Sequence, residues 1–505
     1  MTKVWTIISC SVLLFLPLAW GQGSPPTPYQ TELARLQGMF VMQLPDWKAH
    51  ADNINHGEDP SLNDADWTPA RPFEPWKGGP VWFRRWVEVP RSMAGYDLRG
   101  ARIWLDVRVS AEMSSEMRLY LNGTIAEQAD ENTQQAVLLT QNAQPGDRFL
   151  VAVDVPRAKG DINLVAAHLL VDYPPTRPDP RHLYQEIKSA QELIPGFPEG
   201  RQEREQQLGA AVHALDFSAL DRGDQAGFEN SMRAAEGKLQ PLGAWAKQFT
   251  VHAAGNSHID MAWLWPWTET VEVVRNTFST VLQLMRQYPD FCYAQSAAQD
   301  YAWMEEKYPA IFQQIQQRVK EGRWEIVGGM WVEPDLNMPD GESLVRQILM
   351  GKGYFQQRFG VDVKIGWNPD SFGYNWQLPQ IYKRAGIDYF MTAKLNWNDT
   401  TKFPYKLFWW ESPDGSRVLT YLPRTYGGNI DPILISEDVA HLVPKMGVNE
   451  VLHLYGVGDH GGGPTRAMLD AAEDWMKTGK LSNVAPGEPE VNEEDLKSFL
   501  HAELS

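Results

Sequence analysis

Between residues 249 and 455 short runs of β-prone residues alternate with longer segments of helical periodicity, and this alternation restricts the fold more than any other feature. The runs fall near 249–254, 291–296, 323–328, 363–367, 388–392, 417–422 and 450–455. In the segment 269–287, Val271, Val274, Phe278, Val281, Leu282 and Met285 share one helical stripe. Glu269 and Glu272 sit at its N-terminal end, where the helix dipole favours negative charge. Strands joined through helices pair in parallel, with right-handed crossovers. One extra hairpin interrupts the pattern around Pro413-Asp414-Gly415, between 407–410 and 417–420. The fold class expected is α/β, its seven parallel strands closing, or nearly closing, a seven-stranded (β/α) barrel.

In such a fold ligands sit at the carboxyl ends of the strands. The polar residues just past the expected strands are His258 and Asp260, Glu333 and Asp335, Asp370, Lys394 and Asn396, and Asp459 with His460. They should converge on one face. His258 and Asp260 lie two apart in Gly255-Asn256-Ser257-His258-Ile259-Asp260-Met261-Ala262-Trp263, so imidazole and carboxylate can point to the same side and share a divalent cation; zinc accepts both ligand types. A lone His-x-Asp also decorates ordinary loops, and the tryptophans that follow, Trp263, Trp265 and Trp267, suit a sugar face as well as a core. In Trp367-Asn368-Pro369-Asp370-Ser371-Phe372-Gly373-Tyr374 the proline fixes the backbone before Asp370 and the glycine permits a tight turn after it. A carboxylate held that rigidly suits a nucleophile. The Gly-rich stretch 456–463 lacks the Lys-Ser/Thr ending of a phosphate-binding loop.

The formal net charge is −18 without a basic stripe, which argues against a nucleic-acid partner. Lys3, the apolar run Val12–Trp20 and the small residues Gly21 and Gly23 read as a secretory signal peptide over 1–23, so the expected location is secreted or periplasmic. No other segment approaches the roughly 18 apolar residues of a membrane span. Cys10 falls inside the signal, leaving Cys292 alone and excluding an intramolecular disulfide. From 30 to 173 period-two runs such as 81–89, 101–107 and 149–155, with the hairpin signal Asn122-Gly123, predict a β-sandwich. It resembles the galactose-binding-like sandwiches attached to many glycosidases. Pro174-Pro175-Thr176-Arg177-Pro178-Asp179-Pro180 reads as a linker, and the segment to 245 as a small helical connector broken at Pro195 and Pro198.

The motifs HIDMAWLWPW, GESLVRQ, PDSFGY, LPQI, GIDYF, KFP, FWWE, DGSRV and GDHGGGPT together resemble the α-mannosidases of glycoside hydrolase family 38, in detail over about 250–480 and in outline over 30–245. The resemblance implies a barrel catalytic domain (246–482) holding one Zn2+, with His258, Asp260 and Asp370 as ligands and Asp370 also the nucleophile. Trp263 and Phe372 match aromatic positions lining the mannose site, and Lys394 falls where the family places a basic residue near the nucleophile. In the family the zinc binds adjacent sugar hydroxyls, and hydrolysis retains configuration through two carboxylates. Asp459 is the expected acid/base, as the best-placed remaining carboxylate after a strand. The partner implied is an α-mannoside glycan; self-association is compatible with the sequence and not specified by it. Family members continue into further domains that carry a fourth ligand, a histidine, so 483–505 reads as the start of a truncated helical domain. Neither His460 nor His501 matches that ligand's motif. The rival readings are a metal-dependent carbohydrate deacetylase on a related barrel and a non-catalytic carbohydrate-binding fragment.

Overall fold

A computed structural model describes residues 28–478, except 52–53, 78, 131–135 and 459. The expected signal peptide, the segment 483–505, His501 and Asp459 therefore lie outside the described residues. The described chain forms two compact units, residues 28–187 with 205–241 and residues 188–204 with 242–478.

The first unit opens with a helix, Gln30–Phe40, where the sequence reading expected strand; Leu33, Leu36, Met39 and Phe40 are buried on it. Its β portion is a nine-stranded antiparallel sheet and a separate two-stranded one, Ser92–Met93 with Tyr96–Asp97. The main path runs Val137–Thr140, Arg102–Leu121, Arg148–Asp172, Val81–Glu88, Trp47–His50, Thr68–Ala70. Strands of 20 and 25 residues carry this sheet, and repeated register shifts between them let such long strands bend. Asn122 and Gly123, at φ 49° and 82°, make the two-residue turn into Thr124–Asp130, the geometry for which Asn-Gly is favoured. Asp154 on this sheet is 6% exposed. Burial pushes its carboxyl up to about 6, while Arg118 pulls it down and Glu116 and Glu58 push it further up. The proline-rich segment is irregular but anchored, since Arg177 binds Glu229 (2.9 Å) and the Asp97 carbonyl (2.8 Å). The expected connector contains the helices Pro180–Leu193, Arg201–Val212, Phe217–Asp221 and Gln225–Ala246, with a 3-10 turn at Ile194–Gly196.

In the second unit all seven expected parallel strands are present, but they do not close one barrel. Four form a sheet in the order Trp324–Ile326, Tyr293–Gln295, Thr250–Asn256, Glu450–Tyr455. The other three, Ile365–Trp367, Tyr389–Met391 and Arg417–Tyr421, form a second sheet edged by the antiparallel Leu407–Glu411 of the expected hairpin. The reason lies in the seams. Strands of three residues offer few ladder groups, and Gly328 N–H to Ile365 O (2.8 Å) joins one pair of edges. At the other seam the Tyr421 hydroxyl stands in for the ladder, donating to Leu452 O (2.9 Å) and accepting from Leu452 N–H (3.2 Å). Both sheets feed one apolar core, including Val251, Tyr293, Trp324, Ile365, Met391, Tyr421 and Leu454. The helix Trp267–Gln287 buries the stripe read from the sequence. Asp340 caps the helix Gly341–Phe359 by accepting from Ser343 N–H, and Gly360 ends it at φ 73°.

Candidate active site and metal centre

Three loops at the carboxyl ends of the parallel strands carry the expected site. The first follows Thr250–Asn256. Ile259 bridges to His460, and Thr270 at the start of the following helix donates to the Met261 carbonyl (2.9 Å), so the chain around His258 and Asp260 is held at both sides. The second follows Ile365–Trp367. Asn368 N–H donates to Met391 O (3.1 Å), Tyr382 OH donates to Asn368 Oδ1 (2.8 Å), and Ala393 N–H donates to Pro369 O (3.1 Å). Asp370 therefore sits on a fixed loop, as Pro369 and Gly373 (φ 121°) suggested. The third loop follows Tyr389–Met391 and carries Lys394 on the 3-10 turn Lys394–Trp397.

One ligand atom each from His258, Asp260 and Asp370 lies within 4.8 Å of the others. His258 is buried (6% exposed), and its Nε2 stands 3.7 Å from Asp260 Oδ1. Lys394, 9% exposed, pairs through Nζ with Asp370 Oδ1. Its ammonium lies between two rings, 4.0 Å from the Phe372 centroid and 3.8 Å from that of Trp397, a double cation–π contact. Phe372 and Trp397 are nonetheless 76% and 69% exposed. Trp263 is 64% exposed and meets Trp265 edge-on at 5.7 Å.

Two further residues belong to this constellation. Glu333 accepts the Asp370 N–H at Oε1 (3.0 Å) and places Oε2 2.9 Å from His258 Nε2. Tyr426 donates its hydroxyl to Asp370 Oδ1 (3.1 Å) and lays its ring edge-on to His258 at 5.1 Å. Glu333 stood among the polar residues expected after the third strand, although nothing in its spacing marked it as special. No sequence signal marked Tyr426. Three other strand-end residues do different work. Asp335 closes a turn by accepting from Asn337 and Met338 N–H (2.8 Å each), Asn396 donates to Pro423 O (2.6 Å), and His460 faces Glu269 (3.1 Å). Below the site Asp300 is fully buried; burial pushes its carboxyl up to about 8, opposed by the Ala297 N–H and by His258.

The donor set fits a divalent cation. Asp260, Asp370 and Glu333 bring three carboxylates beside one imidazole, and Lys394 pairs with only one of them. Among the described residues no hydrogen bond reaches the second oxygen of Asp370, which leaves it able to ligate or attack. Mixed imidazole and carboxylate donors are those zinc accepts.

Residues 248–502 match the family model for the N-terminal domain of the glycosyl hydrolases family 38, which is half of the chain, and the chain belongs to that family. Among curated proteins, the alpha-mannosidase 2C1 of Homo sapiens is 44% identical over 246 residues, covering 48% of this chain and 24% of that protein. The alpha-mannosidase G of Dictyostelium discoideum is 36% identical over 292 residues (57% and 26% of the two chains), and the alpha-mannosidase of Saccharomyces cerevisiae 40% over 226 residues (43% and 20%). The chain thus spans about a quarter of the length of the relatives it matches. Among solved structures, an alpha-mannosidase from Enterococcus faecalis V583 is similar at 21% identity and a TM-score of 0.43, over 51% of this chain and 30% of that one.

Proposed function

We propose that the site belongs to a retaining, zinc-dependent α-mannosidase that hydrolyses terminal α-mannosides. The observation that carries this reading is the convergence of His258, Asp260 and Asp370 at the strand ends, with Asp370 pinned by Glu333, Lys394 and Tyr426. The relatives are named as alpha-mannosidases, and family membership supports carrying that activity over. His258, Asp260 and Asp370 would hold the zinc, which when bound supplies positive charge and orients sugar hydroxyls.

The chain's own residues account for the rest. Asp370 attacks the anomeric carbon as the glycosidic C–O bond breaks, and the leaving oxygen takes a proton from Asp459, the proposed acid. Water, deprotonated by the same residue, then cleaves the mannosyl ester and restores the Asp370 carboxylate. Lys394 and Tyr426 hold one oxygen of Asp370, which orients the other for attack. Trp263 and Phe372 offer apolar faces for the sugar. An exported location is part of the same proposal and rests on the N-terminal sequence alone.

The test is mechanism-based labelling. A fluorinated mannosyl donor should add one fluoromannosyl group to the peptide containing Asp370, and Asp370→Asn should abolish it. Turnover of an α-mannoside without labelling, or labelling elsewhere, would sink the assignment. Metal-dependent acetate release without labelling would install the deacetylase instead.

A further inference from the structure

On the second unit four basic side chains have no ion-pair partner among the described residues. Lys402 and Lys406 come from the stretch leading into Leu407–Glu411, and His441 and Lys445 from one face of the helix Pro432–Met446. Lys406 is 3% exposed. An ammonium has three N–H donors, and only one of these has a partner among the described residues, the neutral Asn396 Oδ1 at 2.6 Å. Lys445 Nζ lies 3.3 Å and 3.4 Å from the two ring nitrogens of His441.

The carboxylates on the same helix are already taken. Glu437 is held by Arg424 (3.1 Å), while Asp438 is held by Arg424 (2.5 Å) and by His453 (2.7 Å). Among the described residues no carboxylate comes within ion-pair distance of Lys402, Lys406, His441 or Lys445. Acidic residues outnumber basic ones in the chain, 64 to 46, so a basic cluster in which no member has an ion pair among the described residues is not what composition alone would give. Buried charges are ordinarily paired, because an unpaired ion forfeits its hydration. The groups also feel one another: burial first, then Lys445, brings Lys406 down to about 8, and burial, then Lys445, Lys406 and Arg424, bring His441 down to about 4 against the opposing pull of Asp438.

We propose that Lys402, Lys406, His441 and Lys445 form a binding site for a tetrahedral oxyanion, a phosphate or sulfate group. A compact anion with several acceptor oxygens can take the free donors of Lys406 and draw in the two exposed lysines. Asn396 links this site to the loop of Tyr426, because it accepts from Lys406 and donates to the Pro423 (2.6 Å) and Arg424 (3.2 Å) carbonyls.

The experiment titrates the full chain with sodium phosphate at pH 7, against sodium chloride of equal ionic strength, and reads thermal unfolding and heat of binding. Wild type should show a saturable rise of Tm with phosphate beyond that with chloride. Lys445→Ala and Lys402→Ala should each weaken phosphate binding at least fivefold. Lys406→Met should be at least as stable as wild type without phosphate and insensitive to it. Mannose 6-phosphate binding tenfold tighter than inorganic phosphate would assign the site to a phosphorylated sugar; equal or weaker binding would assign it to the free anion. A wild-type Tm that phosphate moves no more than chloride, or an undiminished phosphate response in Lys402→Ala and Lys445→Ala, would overturn the proposal.

Discussion

Replacing Asp154 by asparagine should stabilise the β unit at neutral pH and change it little at pH 4. Burial raises this carboxyl from 3.8 to about 6 in the folded chain. A group whose folded pKa is raised contributes stability that is complete below the unfolded pKa and is lost as pH rises through the folded value. Above pH 6 the wild type therefore carries the whole cost. At about 1.4 kcal/mol per unit, a rise of roughly two units amounts to about 3 kcal/mol. Asparagine has nearly the same shape and no charge to desolvate. Arg118, 3.6 Å from Asp154, keeps its closer partner Glu116 at 2.9 Å, so little should offset the gain. The assay is urea unfolding of wild type and variant from pH 4 to pH 8, and about 3 kcal/mol at pH 7 corresponds to roughly 6–12 °C in the Tm of a unit this size. A stability difference that is the same at pH 4 and pH 7, or a loss at pH 7, would refute the reasoning.

Chelation should lower the Tm of the chain and added zinc should restore it, with His258→Ala abolishing both responses, because a cation that binds only the folded state stabilises it; calorimetry with and without chelator checks this. Lys394→Met should cut kcat/KM for an aryl α-mannoside by about 10²–10³, the range for losing one preorganised charged contact at a reacting group; steady-state kinetics on protein shown to be folded by circular dichroism decides it. Gly456→Ala should cost about 2–5 kcal/mol, since the residue has φ 132° and an added Cβ would stand 2.1 Å from Asn256 O, beside the loop of His258; an unchanged urea midpoint would contradict that.

The local pattern of the sequence carried much of this structure. Seven strands and the helix Trp267–Gln287 were legible because each has its own period, and the Asn122-Gly123 turn because only a few residues accept positive φ in succession. The helix Gln30–Phe40 was missed because its apolar residues run straight into the β-prone Val41–Gln43. Barrel closure is decided at the seams, where a glycine amide and a tyrosine hydroxyl stand in for ladders, and no periodicity encodes that. In the site, His258, Asp260 and Asp370 were marked by their positions after strands. Tyr426 reaches Asp370 across 56 residues, and only the folding of the intervening strands reveals such a contact.

The two-sheet arrangement also gives the site a second meaning. His258 and Asp260 hang from the end of Thr250–Asn256 in one sheet, whereas Asp370 follows Ile365–Trp367 in the other. The spacing of the three donors is thus a gauge of how the sheets are aligned. A slip of one residue along a strand moves a side chain by about 3.3 Å. That is most of the 4.8 Å within which the three donor atoms gather. Only a chain whose two sheets have met in the right register brings these three donors together, so a cation held by them would favour the assembled fold over its separate halves.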